Sequence, residues 1–348
     1  MPGSVNFAGW TFSWSIPSLY GGGLAISKAN FQGTRVLFRA TQPFVLVPYH
    51  GGSPHFKDGL GTFSCGSGIQ FTSMTPIAPN APSWSIPPSG FASNDNAYDP
   101  ILNPKGAVAY EQIPASLLEP AKAVVWTKQQ AANYQYIQRW EFGADGAIEA
   151  KIGLGARLWT TNPPTEGHIH NFYFRMDFDI VTPGNNLVQK FVHAGYGAGQ
   201  DQWISILNEG KDSTVPAEYT KWRVINKAPK ANGQVRGYEI SPGSDGSPDG
   251  KWSSGDLWVV RYKAGVEDGS DVTCDDSVLQ NVYATPAETV DGQDVVIWHV
   301  LRTHHTPREK GEEDSVVPYE FDSFRILPRD FLDHTPKNLY PTTPSSPI

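Results

Sequence analysis

Strand-like alternation of apolar and polar residues recurs along the chain. Such segments occur at residues 34–40, 43–49, 123–128, 136–142, 146–154, 170–180, 256–263 and 294–302. Turn signals such as PGNN, ADG and DGQ separate many of these segments. No window shows a sustained apolar period of 3.6 residues, so the pattern predicts one large antiparallel β-sandwich.

Segments rich in Gly, Pro, Ser and Asn interrupt this pattern. Residues 50–122 and 227–255 are of this kind, and we predict long loops there. Residues 336–348 are predicted to be a tail that lies on the surface or is disordered. We predict a single domain across residues 1–348.

Composition supports strands and turns and narrows the range of partners. The chain has 34 Gly, 29 Pro and only 3 Met among 348 residues, and its net charge of −8 argues against nucleic acid. No run reaches the ~18 apolar residues of a membrane span. The first residues lack a basic and an apolar region, so we expect a cytoplasmic protein. Cys65 and Cys274 have no CxxC spacing, which argues against a disulfide framework.

Candidate chemistry first appears in residues 166–180, EGHIHNFYFRMDFDI. Because side chains alternate along a strand, His168 and His170 share an apolar face, and Asp177 and Asp179 share the opposite, polar face. Two imidazoles on one face can bind one metal ion, and neutral imidazole suits copper or zinc. The alternative is a pair of core histidines that hydrogen-bond to backbone groups.

A second segment, DVVIWHVLRTHHTPR at residues 294–308, has the reverse order, with Asp294 before His305. The number of positions from Asp294 to His305 is odd, and so is the number from His170 to Asp177, so each pair would lie on opposite faces of a regular strand. Antiparallel pairing of the two segments would therefore form a nitrogen site on the buried face. It would also form an oxygen site on the outer face, about 23 Å away along the strand. The oxygen site would suit Ca²⁺; the alternative is a solvated strand end.

Six segments of the chain occur in an order that is characteristic of one enzyme family. They are GLAISKANFQGTRVLFRATQPFVLVPYHG, NYQYIQRWEFGADGAIEAKIGLG, HIHNFYFRMDFDI, DLWVVRYKAG, DVVIWHVLRTHHTPR and DSVVPYEFDSFRILPRDFLDHTP. Together they resemble the catalytic domain of the copper-containing amine oxidases, the quinoenzymes built on topaquinone. The resemblance runs from residue 23 to residue 335. It implies a large antiparallel β-sandwich with long loops and β-hairpin arms.

The resemblance also implies a copper centre. His168 and His170 match the H-x-H ligands, and His305 matches the third ligand in the H-x-P-R turn, whereas the adjacent His304 falls outside that turn. Tyr134 matches the tyrosine that copper and O₂ convert to topaquinone.

Three further residues are assigned to the cofactor and the chemistry. Asn133 precedes the cofactor tyrosine, and Tyr49 matches the tyrosine that hydrogen-bonds the quinone oxygen. In the shortened segment PHFKDGLGTFSCGSG, Asp58 is the nearest candidate for the general base.

A peripheral calcium site is implied as well. Its ligands would be the carboxylates of Asp177, Asp179 and Asp294 with the carbonyls of Phe178 and Val295. This assignment agrees with the oxygen site that strand alternation predicts.

The resemblance implies oxidation of a small-molecule primary amine to an aldehyde, with O₂ reduced to H₂O₂. It also implies a homodimer, because residues 218–243 resemble one of the arms that embrace the partner; the alternative is an exposed surface hairpin. Gln135 stands where the family has Asp or Glu, and this difference favours an alternative function. The alternative is a tailoring enzyme of secondary metabolism that oxidises or cyclises a natural-product intermediate without topaquinone. A non-catalytic metal-binding or interaction protein is the third possibility.

Overall fold

The fold consists of β-strands and turns. The computed structural model describes residues 3–15, 24–48, 55–59, 69–73, 75–77, 108–131, 134–156, 168–193, 201–215, 219–243, 255–264, 284–305 and 320–333. For residues 55–59, 69–73 and 75–77, and for positions 130, 135, 156, 305 and 320, it describes the backbone alone. No helix in the described part of the chain is long and apolar enough to span a membrane. The predicted all-β class is confirmed by two large sheets.

The first sheet contains ten of the described strands. They are β1 (Gly3–Phe7), β2 (Trp10–Ser15), β3 (Ala25–Phe31), β4 (Thr34–Val47), β5 (His55–Gly59), β6 (Ile69–Ser73), β12 (His168–Phe178), β15 (Gly210–Asp212), β18 (Leu257–Arg261) and β19 (Val295–His305). The order is β1-β2-β3-β4-β12-β19-β18-β15, and β5 pairs with both β4 and β6. The β5–β6 pair is parallel.

The second sheet also contains ten of the described strands. They are β7 (Thr75–Ile77), β8 (Ala109–Ile113), β9 (Lys122–Ala131), β10 (Tyr134–Gly143), β11 (Ile148–Ala156), β13 (Asn186–Val192), β14 (Gln202–Ile206), β16 (Trp222–Pro229), β17 (Val235–Ser241) and β20 (Glu320–Arg329). The order is β14-β13-β16-β17-β20-β11-β10-β9-β7, with β8 beside β9.

The main apolar core lies between the inner faces of the two sheets. Alternate residues of β12 from the first sheet meet β10 and β20 of the second. Trp140 packs edge-on against Phe174 at 5.7 Å between ring centroids, and Phe324 lies 4.9 Å from the same ring. Each fully buried side chain of this kind stabilises the fold by about 1.5–3 kcal/mol, so facing aromatic residues hold the sheets together.

The opposite face of β12 differs from the prediction, which was that it would be polar and outward. Asn171, Arg175 and Asp177 are buried on that face. Tyr173 stacks on Phe44 with ring centroids 4.6 Å apart, within a second apolar cluster. Strand alternation identifies which residues share a face but not what covers that face, and this is why the prediction was wrong.

Strands also occur where loops were predicted. Strands β5 to β8 lie within residues 50–122, and β17 lies within residues 227–255. The segments 34–40 and 43–49 were predicted separately, but the single strand β4 runs through the first and on to Val47 in the second. A register shift against β12 accommodates Pro43, which cannot donate a backbone hydrogen bond.

The hairpin that joins β10 to β11 has its turn at GADG, as predicted. The Gly143 amide donates to the Ala147 carbonyl at 2.8 Å, and the Asp145 carboxylate accepts a hydrogen bond from the Ala147 amide at 3.0 Å. Gly146 has φ of 88°, a conformation that residues with a Cβ rarely adopt. The turn fixes the register of the strand that begins at Tyr134.

The β16–β17 hairpin lies within residues 218–243, the segment that resembles an arm. Its base lies inside the second sheet, because β16 pairs with β13 and β17 pairs with β20. Lys227 contacts Asp291 at 2.7 Å and Lys230 donates to the Leu332 carbonyl at 2.9 Å. These contacts tie the hairpin to two other segments of the same chain.

Candidate functional site

The nitrogen end of the site depends on how β12 and β19 pair. Their register is antiparallel and unbroken, from His168 opposite His305 to Phe178 opposite Val295. This confirms the predicted pairing of the two segments. Residues directly opposite each other are near neighbours in such a pair, so the backbone places position 305 beside position 168. The His305 side chain lies outside the described residues.

The two histidines of β12 form a close pair inside the protein. His168 is 2% exposed and His170 is fully buried. Their Nε2 atoms lie 3.0 Å apart. Two nitrogen ligands that are each about 2.0 Å from one metal ion, at angles of about 90–110°, are about 3 Å apart. The pair therefore fits two ligands of one metal ion, and a buried set of neutral imidazoles suits copper.

Two tyrosines reach this pair from the opposite sheet. The Tyr134 hydroxyl oxygen lies 3.1 Å from Nε2 of His168, and the Tyr136 hydroxyl oxygen lies 3.2 Å from Nδ1 of His170. Both tyrosines are buried. The structure therefore brings Tyr134 together with His168 and His170.

Tyr136 was not among the site residues predicted from the sequence. The signal was present, because residues two apart on a strand share a face, and Tyr136 must therefore point the same way as Tyr134. What the sequence does not encode locally is that this face of β10 meets the histidine face of β12 across the sandwich.

A polar contact continues the link between the sheets further along β10. The Gln138 amide donates to the side-chain oxygen of Gln42 and to the Gln42 carbonyl, and its own oxygen accepts a hydrogen bond from the Leu24 amide at 2.7 Å. Both glutamines are fully buried. Because buried amides need partners, these bonds fix how β4 and β10 sit against each other.

Other predicted site residues are not brought into contact by described atoms. The backbone of Asp58 lies on β5 opposite Val45, and its side chain lies outside the described residues. Tyr49 and Asn133 also lie outside them. Their assigned roles remain predictions.

The oxygen end forms where β12 ends and β19 begins. One carboxylate oxygen each from Asp177, Asp179 and Asp294 lies within 4.8 Å of the others. Phe178 and Val295, whose carbonyls were also predicted as ligands, pair directly with each other. The strand pairing therefore gathers three carboxylates, a donor set that suits a hard cation.

Burial and mutual repulsion make this cluster costly to ionise. Burial, and after it the Asp179 carboxylate, raise the pKa of Asp294 to about 6 against the opposing effect of the Arg175 guanidinium. Burial also raises the pKa of Asp179, against the influence of Arg35. Arg35 lies 3.6 Å from Asp179, and Arg175 lies 3.7 Å from Asp177. Cationic side chains therefore lie beside these carboxylates, yet the pKa values of Asp294 and Asp179 stay raised.

Two curated plant proteins are similar to this chain. One is copper-containing amine oxidase gamma 1 of Arabidopsis thaliana, 23% identical, with 95% of this chain and 56% of the relative covered. The other is a primary amine oxidase of Pisum sativum, 22% identical, with 96% of this chain and 59% of the relative covered. The chain therefore spans a little over half the length of these relatives.

The fold has a matching solved structure. It resembles a copper-containing benzylamine oxidase from Hansenula polymorpha with a TM-score of 0.70 at 18% identity, over 97% of this chain and 61% of that one. The sequence pattern of the copper amine oxidase enzyme domain matches residues 115–346, about two-thirds of the chain. That range contains both strands that carry the histidines and the aspartates. By this match, its sandwich and its buried histidine pair, the chain belongs to the copper amine oxidase family.

Proposed function

We propose that this chain is a copper-dependent oxidase that converts a primary amine into an aldehyde. Water and O₂ are consumed, and ammonia and H₂O₂ are released. The observation that carries the proposal is the buried triangle of Tyr134, His168 and His170, with contacts of 3.1 and 3.0 Å. The plant relative named as a primary amine oxidase supports amines as the substrate class.

In this proposal His168 and His170 hold copper through their Nε2 atoms, and His305 supplies the third nitrogen. Tyr134 is the precursor of topaquinone, because its hydroxyl lies beside a metal-facing nitrogen. The copper and quinone pair, when formed, supplies an electrophilic carbonyl for the amine and a route for electrons to O₂.

The residues around the proposed copper site shield its ligands from water and take part in the proposed chemistry. Tyr136 and Phe172 are fully buried beside the histidines and shield them from solvent. We assign Asp58 as the base that removes the proton from the carbon next to the amine nitrogen, and Tyr49 as the hydrogen-bond donor to the quinone oxygen. Asn133 would orient the Tyr134 ring from the preceding position.

The test is loading of the metal-free protein with Cu²⁺ in air, followed by phenylhydrazine labelling and intact mass analysis. We expect a phenylhydrazine-reactive chromophore and a gain of about 30 Da on the Tyr134 peptide, for two oxygens added and two hydrogens removed. Tyr134→Phe should bind copper and form no chromophore. The matched control is Tyr238→Phe, because that buried hydroxyl bonds the Gly146 carbonyl at 3.0 Å, away from the histidines.

A protein that binds copper but forms no chromophore would favour the second candidate, a tailoring enzyme of secondary metabolism without topaquinone. Gln135 is the observation that favours this candidate, because the family has a carboxylate at that position. A protein that does not bind copper would contradict the first proposal.

We also propose that Asp177, Asp179 and Asp294 bind Ca²⁺ and that the chain forms a homodimer. The carboxylate cluster supports the first, and the resemblance of residues 218–243 to a family arm supports the second. Sedimentation of the purified protein would distinguish a dimer from a monomer.

A further inference from the structure

The two tyrosines of the NYQY segment contact chemically different nitrogens. The Tyr134 hydroxyl lies beside Nε2 of His168, which is the nitrogen that faces the second ring. The Tyr136 hydroxyl lies beside Nδ1 of His170, whereas Nε2 of that ring faces His168. One tyrosine therefore lies on the metal side of the pair, and the other lies behind it.

We propose that Tyr136 is a positioning residue for His170, whose Nδ1–H it accepts so that Nε2 is held ready for copper. This inference rests on the proposed copper site. A neutral imidazole has one N–H donor and one lone pair, so a ring that binds metal through Nε2 must carry its proton on Nδ1. The structure assigns the acceptor for that proton to the Tyr136 oxygen, 3.2 Å away.

Burial makes this hydrogen bond consequential. Tyr136 and His170 are both fully buried. If the Tyr136 hydroxyl were removed, bulk water could not replace it as the acceptor of the Nδ1–H. A buried donor left without a partner bears the full cost of its desolvation. The alternative tautomer, with the proton on Nε2, would keep that nitrogen from binding a metal ion. Removal of the hydroxyl therefore weakens the ligand itself.

The packing around His170 holds its ring in the same orientation. Tyr134 lies edge-on to the ring at 4.8 Å and Tyr136 at 5.8 Å, while Phe172 stacks beside it at 6.2 Å between centroids. The hydroxyl of Tyr136 supplies what this packing does not, a distinction between the two ring nitrogens.

The Tyr136 hydroxyl is placed by a rigid part of the fold. Tyr136 lies on an interior strand of the second sheet, paired with Gln129 on β9 and with Leu154 on β11. His170 belongs to the first sheet, where it pairs with Thr303. The bond thus crosses from one sheet to the other, and the packing of the sandwich sets its length. A hydroxyl is also a weaker acceptor than a carboxylate, so His170 stays less electron-rich than a carboxylate-paired ligand.

The test compares Tyr136→Phe with Tyr238→Phe, each loaded with Cu²⁺ alone after removal of metal. Both variants delete one buried hydroxyl, but only the Tyr136 hydroxyl lies beside a histidine nitrogen, whereas the Tyr238 hydroxyl bonds the Gly146 carbonyl. We expect Tyr136→Phe to bind Cu²⁺ about 10–100-fold more weakly in chelator competition. We also expect its Cu²⁺ electron paramagnetic resonance spectrum to change in g values and copper hyperfine splitting. Tyr238→Phe should match the native protein in both measurements.

Thermal unfolding of the metal-free variants separates a local effect from a general one, because both should lose similar stability. Native affinity and a native spectrum in Tyr136→Phe would overturn the inference. Equal losses of affinity in the two variants would also overturn it. If the native protein binds no Cu²⁺, or His168→Ala binds it unchanged, the proposed copper site and this inference fall together.

Discussion

His299 provides a sharp test of how this core responds to acid. It lies on β19 and faces the interior, 1% exposed, with Phe324 4.4 Å and Trp222 6.3 Å from its ring centroid. Its pKa is lowered from 6.5 to about 4, mainly by burial and also by the Arg302 guanidinium, while the Asp256 carboxylate and backbone oppose the fall. Between pH 6.5 and about 4, the imidazole of His299 is therefore neutral in the folded protein and protonated in the unfolded chain.

The sign and the size of the effect follow by linkage. Between pH 6.5 and 4 the unfolded chain binds the proton and the folded protein does not, so stability is present above 6.5 and is lost as pH falls. A fall in pKa from 6.5 to about 4 corresponds to about 3 kcal/mol in total at 1.36 kcal/mol per pKa unit. Of this, about 2 kcal/mol should be lost between pH 7 and pH 4.5.

The perturbation is His299→Leu, which keeps a similar volume and removes the titrating group. Urea unfolding at pH 7 and pH 4.5 should show that the variant loses about 2 kcal/mol less than the native protein on acidification. Phe324→Leu is the matched control, because it loosens the same contact and should lower stability equally at both pH values. If the native protein and His299→Leu lose equal stability on acidification, the reasoning is wrong.

Two further changes test charged clusters. Burial raises the pKa of Glu141, but Arg139, Lys151 and Lys122 together lower it to about 2. Glu141→Gln leaves the buried Arg139 guanidinium without its 2.6 Å partner and should lower the free energy of unfolding by about 3 kcal/mol in urea, whereas exposed Glu119→Gln should change it little. The raised pKa of Asp294 means that metal-free stability should fall as pH rises through about 6. Asp294→Asn should reduce that fall to the part that the raised pKa of Asp179 causes, and it should abolish any Ca²⁺-induced rise in Tm. A Ca²⁺ response that persists in the variant would count against the calcium site.

The sequence predicts those parts of the site that lie along a strand. His168, His170, Asp177 and Asp294 could be placed because period-two alternation and opposite chemical order fix how two strands pair. The contact between Tyr136 and His170 could not be predicted in this way. It depends on how one sheet packs on another, and no local pattern in β10 or β12 specifies the residues that meet across that gap.

The burial of Asp177 and Arg175 shows the same limit from another side. Charged residues at alternate positions usually indicate a solvated face, and for this reason that face of β12 was predicted to be polar and outward. Here Tyr173 and Phe44 belong to a second apolar cluster on that face. Arg175 and Asp177 lie beside each other and are buried. One aromatic side chain between two polar ones, as Tyr173 is between Asn171 and Arg175, is a weak signal by itself, because aromatic residues are common on exposed strand faces too.

The uninterrupted ladder between β12 and β19 also constrains how the protein can evolve. An insertion or deletion of one residue within either strand would turn every later side chain to the other face, and the histidine end and the aspartate end would then lose their common frame. Losses at the two ends would thus be coupled, although no side chain connects them. Length changes in this family member should therefore accumulate outside residues 168–178 and 295–305, and point substitutions should be the main source of variation within them.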